Sequence, residues 1–199
     1  SATAATSTLA RTTALTVLAM LAFAANSLLC RMALQQTSID AASFGSVRLV
    51  SGALVLMAIV RLRGGPAAKA RSDWLAATML WVYVAAFSFA YITLPAGTGA
   101  LILFGAVQLT MFAVGLSAGE RFTASAWAGF ALAVAGLLYL VSPGLAAPPL
   151  AGTLLMAAAG IAWGVYSLRG RGAGEPVAAT AGNFMRAAPL ALMLSLVFA

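Results

Sequence analysis

The chain has 199 residues, of which 63% are hydrophobic and 8% are charged, and its formal net charge is +7. A composition this apolar lies far outside the range of a soluble domain and indicates an integral membrane protein. With no histidine, one cysteine and four acidic residues, the sequence nearly excludes metal clusters, disulfide frameworks and catalytic dyads.

Seven apolar segments follow one another along the chain, each close to the length needed to cross a hydrocarbon core of about 30 Å as a helix. They are preceded by a small, uncharged polar tail, residues 1–10, which lacks the features of a signal peptide. We therefore predict an all-α integral membrane fold. The predicted spans are residues 12–34, 41–60, 74–94, 97–118, 124–141, 150–168 and 177–199.

Positive charges in the loops predict how the spans are oriented. They follow spans two, four and six, at Arg61, Arg63, Lys69, Arg71, Arg121, Arg169 and Arg171. The loops after spans three and five carry no charge, and cytoplasmic loops are enriched in Lys and Arg, so we expect a cytoplasmic amino terminus in an inner membrane. Arg31, at the outer end of span one, is the exception. This clustering in short loops indicates membrane orientation rather than nucleic-acid binding.

The fourth and fifth spans form a hairpin around one short charged turn. From residue 118 the sequence reads AGERFTASAWAGFALAVAGLLYL, with Gly119, Glu120, Gly129 and Gly136 in register. This hairpin resembles the EamA domain of the drug/metabolite transporter superfamily, whose fourth and fifth helices are joined by a Gly-Glu-Arg turn. The resemblance implies transport of a small metabolite, often export of amino acids or related compounds, by alternating access between two five-helix repeats, and it implies no cofactor.

An internal repeat is visible when the sequence is shifted by 138 residues. The shift aligns Arg31 with Arg169 and Arg48 with Arg186, and it lays spans one and two on spans six and seven. Because five spans separate the two copies, the second copy crosses the membrane in the opposite direction, as in inverted-repeat carriers. We predict a first repeat of five helices at residues 1–145 and the first two helices of a second repeat at 146–199. A ten-helix carrier would then end at about residue 280; a naturally short protein is the alternative.

Arg48 and Arg186 are charged residues within predicted spans, where an arginine costs on the order of 2.5 to 3.5 kcal/mol. Arg48 shares its helix face with Gly45 and Gly52, small residues that allow another helix to approach, so we expect it to face the bundle. Arg186 shares a face with Asn183. No acidic residue lies within a span. The arginines either pair with helix carbonyls or reach the membrane surface, or they bind an anionic group of the substrate or an acidic residue in further helices.

Other polar and aromatic side chains lie within the spans. Gln108, flanked by aromatic residues, suits either a small polar molecule with an apolar part or a hydrogen bond between helices, and Asn26 is a similar case. In span three we prefer the face of Trp81, Ser88 and Tyr91 to the face of Tyr83 and Phe87. The cavity is expected among spans one, three, four and six, and Gly115, Gly119, Gly129 and Gly136 are expected to be helix contacts. The predicted substrate-binding residues are Asn26, Arg48, Trp81, Ser88, Tyr91, Gln108, Trp163, Tyr166, Asn183 and Arg186.

These observations predict an inner-membrane carrier, without enzymatic activity, whose partners are the lipid bilayer and a small-molecule substrate. A non-transporting membrane subunit, a membrane-embedded enzyme and a seven-helix receptor are the alternatives. Intramembrane hydrolysis would need a histidine or a pair of carboxylates within the spans, and a retinal receptor would need a lysine in span seven. The sequence has neither. It also places no titratable acid in a span, so we expect no proton-coupling site here unless Asp40 reaches the mouth of the cavity.

Overall fold

The computed structural model describes residues 2–63, 73–141, 147–172 and 174–198, and these are folded into seven helices joined by turns. The helices are α1 Ala2–Gln36, α2 Ala41–Leu62, α3 Trp74–Ala90, α4 Ala96–Ser117, α5 Ala124–Val141, α6 Leu150–Gly170 and α7 Pro176–Phe198. The all-α prediction is confirmed for these residues, and each predicted span corresponds to one helix. The bounds differ by more than two residues at two places, since α1 begins within the predicted tail, at Ala2, and α3 ends at Ala90 rather than at residue 94. The predicted loop charges Lys69 and Arg71 fall outside the described residues.

Five of the described helices are long and apolar enough to cross a membrane, namely α1 from Leu9 onward, α2, α4, α6 and α7. The other two, α3 and α5, are apolar but shorter. Large apolar side chains cover the outside of the bundle, among them Leu18, Leu132 and Leu196, which are 63%, 76% and 82% exposed. An apolar exterior of this kind suits a lipid environment, so the chain is a membrane protein.

The helix ends follow from local sequence signals. Asp40 precedes α2, where its carboxylate accepts hydrogen bonds of 2.9 Å from the backbone N–H groups of Ala42 and Ser43. Asp73 caps α3 in the same way through the N–H of Ala76. These carboxylates satisfy backbone donors that have no partner within the helix. Gly119 ends α4 with a φ of +81°, a conformation that glycine adopts without strain.

The short helix α3 is the centre of the bundle. It packs against α6, α7 and α2, while α2 packs along α7 and α4 packs along α6. Leu80, Phe87 and Ser88 of α3 are 1% exposed or less. In contrast, α1 and α5 lie at the edge, where α5 packs against α4 and α1 touches α4 and α2.

Close helix packing depends on glycine in α6 rather than in α5. A methyl group at Gly160 would lie 2.6 Å from both the Ala106 Cβ and the Leu103 carbonyl oxygen, so α4 and α6 approach closely there. Gly115 likewise makes room for the side chains of the turn that follows α4. The predicted packing role of Gly129 and Gly136 is wrong for the described residues. A methyl group at either position would meet no atom of another element within 4 Å, because α5 lies at the edge of the bundle.

Candidate functional site

A cavity of about 480 Å³ lies between α1, α3, α6 and α7. This is within the range of small-molecule sites, roughly 300 to 1,000 Å³. Its lining comprises Ala19, Ala22, Phe23 and Asn26 of α1, Leu80, Tyr83 and Val84 of α3, Trp163 and Tyr166 of α6, and Thr180 and Phe184 of α7.

Aromatic rings form one wall of this cavity. The ring of Trp163 lies 4.8 Å from that of Tyr83, 5.4 Å from that of Tyr166 and 6.3 Å from that of Phe23, measured between centroids. Rings packed in tilted and edge-to-face arrangements hold one another in place. The wall is therefore a preformed apolar surface suited to a flat or hydrocarbon part of a ligand.

A short chain of hydrogen bonds connects this wall to the arginine of α2. Arg48 Nη2 donates to Asn26 Oδ1 at 3.0 Å, and Asn26 Nδ2 donates to the Tyr83 hydroxyl at 3.3 Å. The guanidinium carbon of Arg48 lies 5.1 Å from the ring centre of Phe87 and 5.7 Å from that of Phe44. These rings offer their negative faces to the cation.

Small residues of α2 explain why Arg48 faces the protein. A methyl group at Gly52 would lie 2.5 Å from the ring of Phe184, and one at Gly45 would lie 3.5 Å from Val84 Cγ1. Both neighbours also line the cavity. The two glycines, one turn before and one turn after Arg48, thus let α3 and α7 approach the same face, in agreement with the prediction from the sequence.

A smaller polar pocket of about 100 Å³ adjoins the cavity at one end of the bundle, since Tyr166 and Thr180 line both. Asp73 and Arg169 form an ion pair in its wall, with Arg169 Nη2 2.7 Å from Asp73 Oδ2. The hydrogen bond from Arg169, aided by the cap to Ala76, lowers the pKa of the Asp73 carboxyl. Asn183 also lines this pocket, and its Oδ1 is buried with no hydrogen-bond partner among the described residues.

The structure brings together four of the predicted site residues. Asn26, Trp163 and Tyr166 line the cavity, and Arg48 lies behind Asn26. Asn183 is in the adjoining polar pocket. Arg186, one turn beyond Asn183 on α7, is not among the residues that line either pocket, and its guanidinium carbon lies 5.8 Å from the ring centre of Trp74.

The preferred face of α3 is the wrong one for this cavity. Trp81 lies in a tight crevice against α2 and α7. Ser88 and Tyr91 are fully buried, and their hydroxyl groups donate to the backbone carbonyls of Val84 and Ala96. Because α3 is surrounded by helices, both of its faces meet protein, and Tyr83 rather than Trp81 is the residue directed toward α1.

The predicted contribution of span four is also absent from this cavity. Gln108 is exposed and lines a separate groove of about 430 Å³ between α4 and α5. The fourth lining helix is instead α7, through Thr180 and Phe184. Sequence reasoning did not select these two residues, although their spacing of four places them on one helical face.

Comparisons with known proteins give one relative and no description of function. No family model matches the chain, and no solved structure matches it. The chain is 58% identical over 188 residues to an uncharacterized protein of Pseudomonas aeruginosa. The alignment covers 94% of this chain and 66% of that protein, so about a third of the relative lies outside the match.

Proposed function

We propose that this chain is part of an inner-membrane carrier of the drug/metabolite transporter superfamily that moves a small metabolite, an amino acid or a related compound, and exports it. The observation that carries the proposal is the cavity between α1, α3, α6 and α7. It joins an aromatic wall to a polar chain, Arg48–Asn26–Tyr83, in which Arg48 and Asn26 belong to helices long and apolar enough to cross a membrane and Tyr83 to the shorter apolar helix α3. A polar group buried in a membrane protein is costly, and such groups commonly mark substrate pathways.

The arrangement of the helices supports alternating access by two inverted repeats. The 138-residue shift relates α2 to α7, and these two helices pack along each other, with the hydroxyl oxygens of Ser46 and Ser195 2.7 Å apart. Inverted-repeat carriers bind their substrates at the interface of the repeats, near the middle of the membrane. The unmatched third of the relative leaves room for the three further spans that a ten-helix carrier requires.

Transport by the complete gene product in proteoliposomes tests this proposal. Vesicles would be preloaded with unlabelled amino acids and related acids, one at a time, and counterflow of the labelled compound measured. We expect at least one compound to exchange. Trp163→Ala should reduce that exchange about tenfold by removing the centre of the aromatic wall, whereas Trp127→Ala in α5 should not.

If folded protein exchanges no compound, the proposal is wrong and a non-transporting membrane subunit is favoured. The matched tryptophan variants also separate a role in transport from general destabilisation. Both lose an indole ring from an aromatic cluster, but only Trp163 lines the cavity.

The proposed orientation has its own test, which uses introduced cysteines in a Cys30→Ser background. The loop charges predict that Ala67 is cytoplasmic, so Ala67→Cys should react with a membrane-impermeant maleimide only after the cells are permeabilised. Thr93→Cys, in the exposed turn between α3 and α4, should react in intact cells. The reverse pattern would overturn the orientation.

A further inference from the structure

Among the residues that the structure describes, no acidic side chain pairs with the positive charge of Arg48. The sequence has four acidic residues, all of which the structure describes at helix ends or in turns: Asp40, Asp73, Glu120 and Glu175. Among the described residues the one ion pair joins Asp73 to Arg169. A charge held in a low-dielectric environment without a counter-ion is strongly unfavourable, so a compensating anion would stabilise this site.

The contacts that Arg48 does make are incomplete. Nη2 donates to one neutral oxygen, that of Asn26, and two aromatic rings lie near the guanidinium. Nη1 is buried with no hydrogen-bond partner among the described residues. A guanidinium presents paired N–H groups that match the two oxygens of a carboxylate. In Arg48, therefore, Nη1 has no acceptor among the described residues and Nη2 has one neutral acceptor.

Asn26 lies between this guanidinium and the cavity. Its side chain lines the cavity, accepts from Arg48 and donates to the Tyr83 hydroxyl, which is at the cavity wall. An anionic group that displaced the Asn26 amide oxygen would accept from both Nη atoms of Arg48 and from the Tyr83 hydroxyl. The bond from Arg48 to Asn26 joins a cation to a neutral oxygen, whereas a carboxylate would add the opposite charge and could accept two parallel N–H bonds from the guanidinium, so the exchange favours the anion.

We propose that Arg48 binds the carboxylate of the transported molecule. In the substrate-free carrier the Asn26 amide oxygen occupies the position of that carboxylate, and in the complex the Tyr83 hydroxyl is a further donor. The apolar body of the molecule then lies against Trp163, Tyr166 and Phe23. This inference rests on the proposed carrier function and adds to it the chemical group that is recognised. It makes an aromatic or hydrocarbon carboxylate the preferred ligand over the matching amide or amine.

Three probes of one shape test the inference: 3-phenylpropionate, 3-phenylpropanamide and 3-phenylpropylamine. Binding to the complete gene product in nanodiscs would be followed by tryptophan fluorescence and by protection against thermal unfolding. We expect the carboxylate to bind at least tenfold more tightly than the amide or the amine. Arg48→Gln should remove this preference, and Arg48→Lys should keep part of it, because lysine retains the charge but not the paired donors.

Arg31→Gln is the matched control, since Arg31 donates to the carbonyls of Tyr91 and Ile92 and does not line the cavity. It should keep the preference for the carboxylate. Tyr83→Phe, which retains the ring and loses the hydroxyl, should reduce the preference about threefold and supplies a second readout if Arg48→Gln does not fold.

Equal binding of carboxylate and amide by the wild-type protein would overturn the inference, as would a preference that survives in Arg48→Gln. If Arg48 pairs with an acidic residue from the rest of the complete protein, the carboxylate and the amide should bind equally well. If the amide or amine binds and is transported while the carboxylate is not, the carrier function stands and the anion site is wrong. If none of the three probes binds and no compound exchanges in proteoliposomes, both proposals are wrong.

Discussion

The two shortest helices, α3 and α5, are both apolar, yet they occupy opposite places in the molecule. Nine residues of α3 are buried, including Leu80, Val84 and Phe87. In α5 the larger apolar side chains Leu132, Leu138 and Tyr139 are 65% to 85% exposed. In a membrane both environments are apolar, so the composition of a helix does not reveal whether its neighbours are protein or lipid.

The resemblance to a transporter family and the candidate site lie in different parts of the molecule. The sequence features that resemble a transporter family lie in the α4–α5 hairpin. The cavity is built by α1, α3, α6 and α7, where no sequence motif marks the lining residues. The turn that joins α4 to α5 has a strong local signal because glycine is needed at its positive φ. A cavity wall instead requires side chains from distant segments, for which no fixed spacing exists.

Truncation of a large side chain should show the largest difference between the two helices. Phe87→Ala in α3 removes a ring that is 0% exposed and contacts Tyr83, Tyr91 and Arg48. We expect a loss of about 3 kcal/mol in the free energy of unfolding, since the surrounding helices cannot close the gap. Leu132→Ala in α5 should cost less than about 0.5 kcal/mol. Unfolding in mixed micelles measures both, and equal losses would contradict the central position of α3.

Insertion of a single methyl group gives a second, matched comparison. Gly160→Ala places a carbon against the backbone of α4, which cannot move aside as a flexible side chain would, and should cost about 1 to 3 kcal/mol. Gly129→Ala meets no atom within 4 Å and should stabilise α5 slightly, by up to about 1 kcal/mol, through its higher helix propensity. Thermal unfolding of the two variants checks the opposite signs. Destabilisation by Gly129→Ala would indicate that a further helix covers α5 in the complete protein.

Much of the fold could be predicted from the sequence, because spans and turns are properties of local composition. Each predicted span is a helix in the structure, and the capping residues Asp40 and Asp73 lie directly before α2 and α3. The neighbours of each helix could not be predicted in this way. Glycines in α5 and α6 look alike in the sequence, but of these only Gly160 and Gly164, both in α6, are in close contact with another helix.

The candidate site was predictable only where a residue is unusual for a membrane span. A charge at position 48 and an amide at position 26 stand out against an apolar background, and the two side chains are hydrogen-bonded. Tyr83, Thr180 and Phe184 do not stand out, since such residues occur in lipid-facing, packed and cavity positions alike. The choice between the two faces of α3 therefore required the positions of α1 and α7.

The attachment of α5 to the bundle provides a third prediction. Phe112 of α4 stacks on Phe122 and Phe130 with ring centroids 4.1 and 4.0 Å away, and it meets Trp127 edge-on at 5.0 Å. Phe112→Leu keeps an apolar side chain but loses these ring contacts, at a cost of about 1 kcal/mol. We expect faster hydrogen exchange in α5 and unchanged exchange in α3. Acceleration throughout the chain would show that α5 is an integral part of the core.

The smallest expected effect concerns the helix starts, where α3 has a charged cap and α5 a neutral one. Asp73 accepts from Ala76 and pairs with Arg169, whereas Thr123 caps α5 by accepting from the N–H of Ala126 at 3.3 Å. The pKa of Asp73 is below its ordinary value of 3.8, so the stabilisation by its carboxylate is fully present above that pH and is lost as the pH falls through the lowered pKa.

Asp73→Asn keeps a capping side chain but removes the charge. We expect it to lower stability by less than about 1 kcal/mol at pH 7, because the ion pair is partly exposed, and the difference from the wild type should shrink as the pH falls below 3.8 or in high salt. Thr123→Ala should give a difference that changes with neither pH nor salt. Thermal unfolding of the two variants across pH and salt decides the matter, and an Asp73→Asn difference that persisted at low pH would assign the stabilisation to the shape of the cap rather than to its charge.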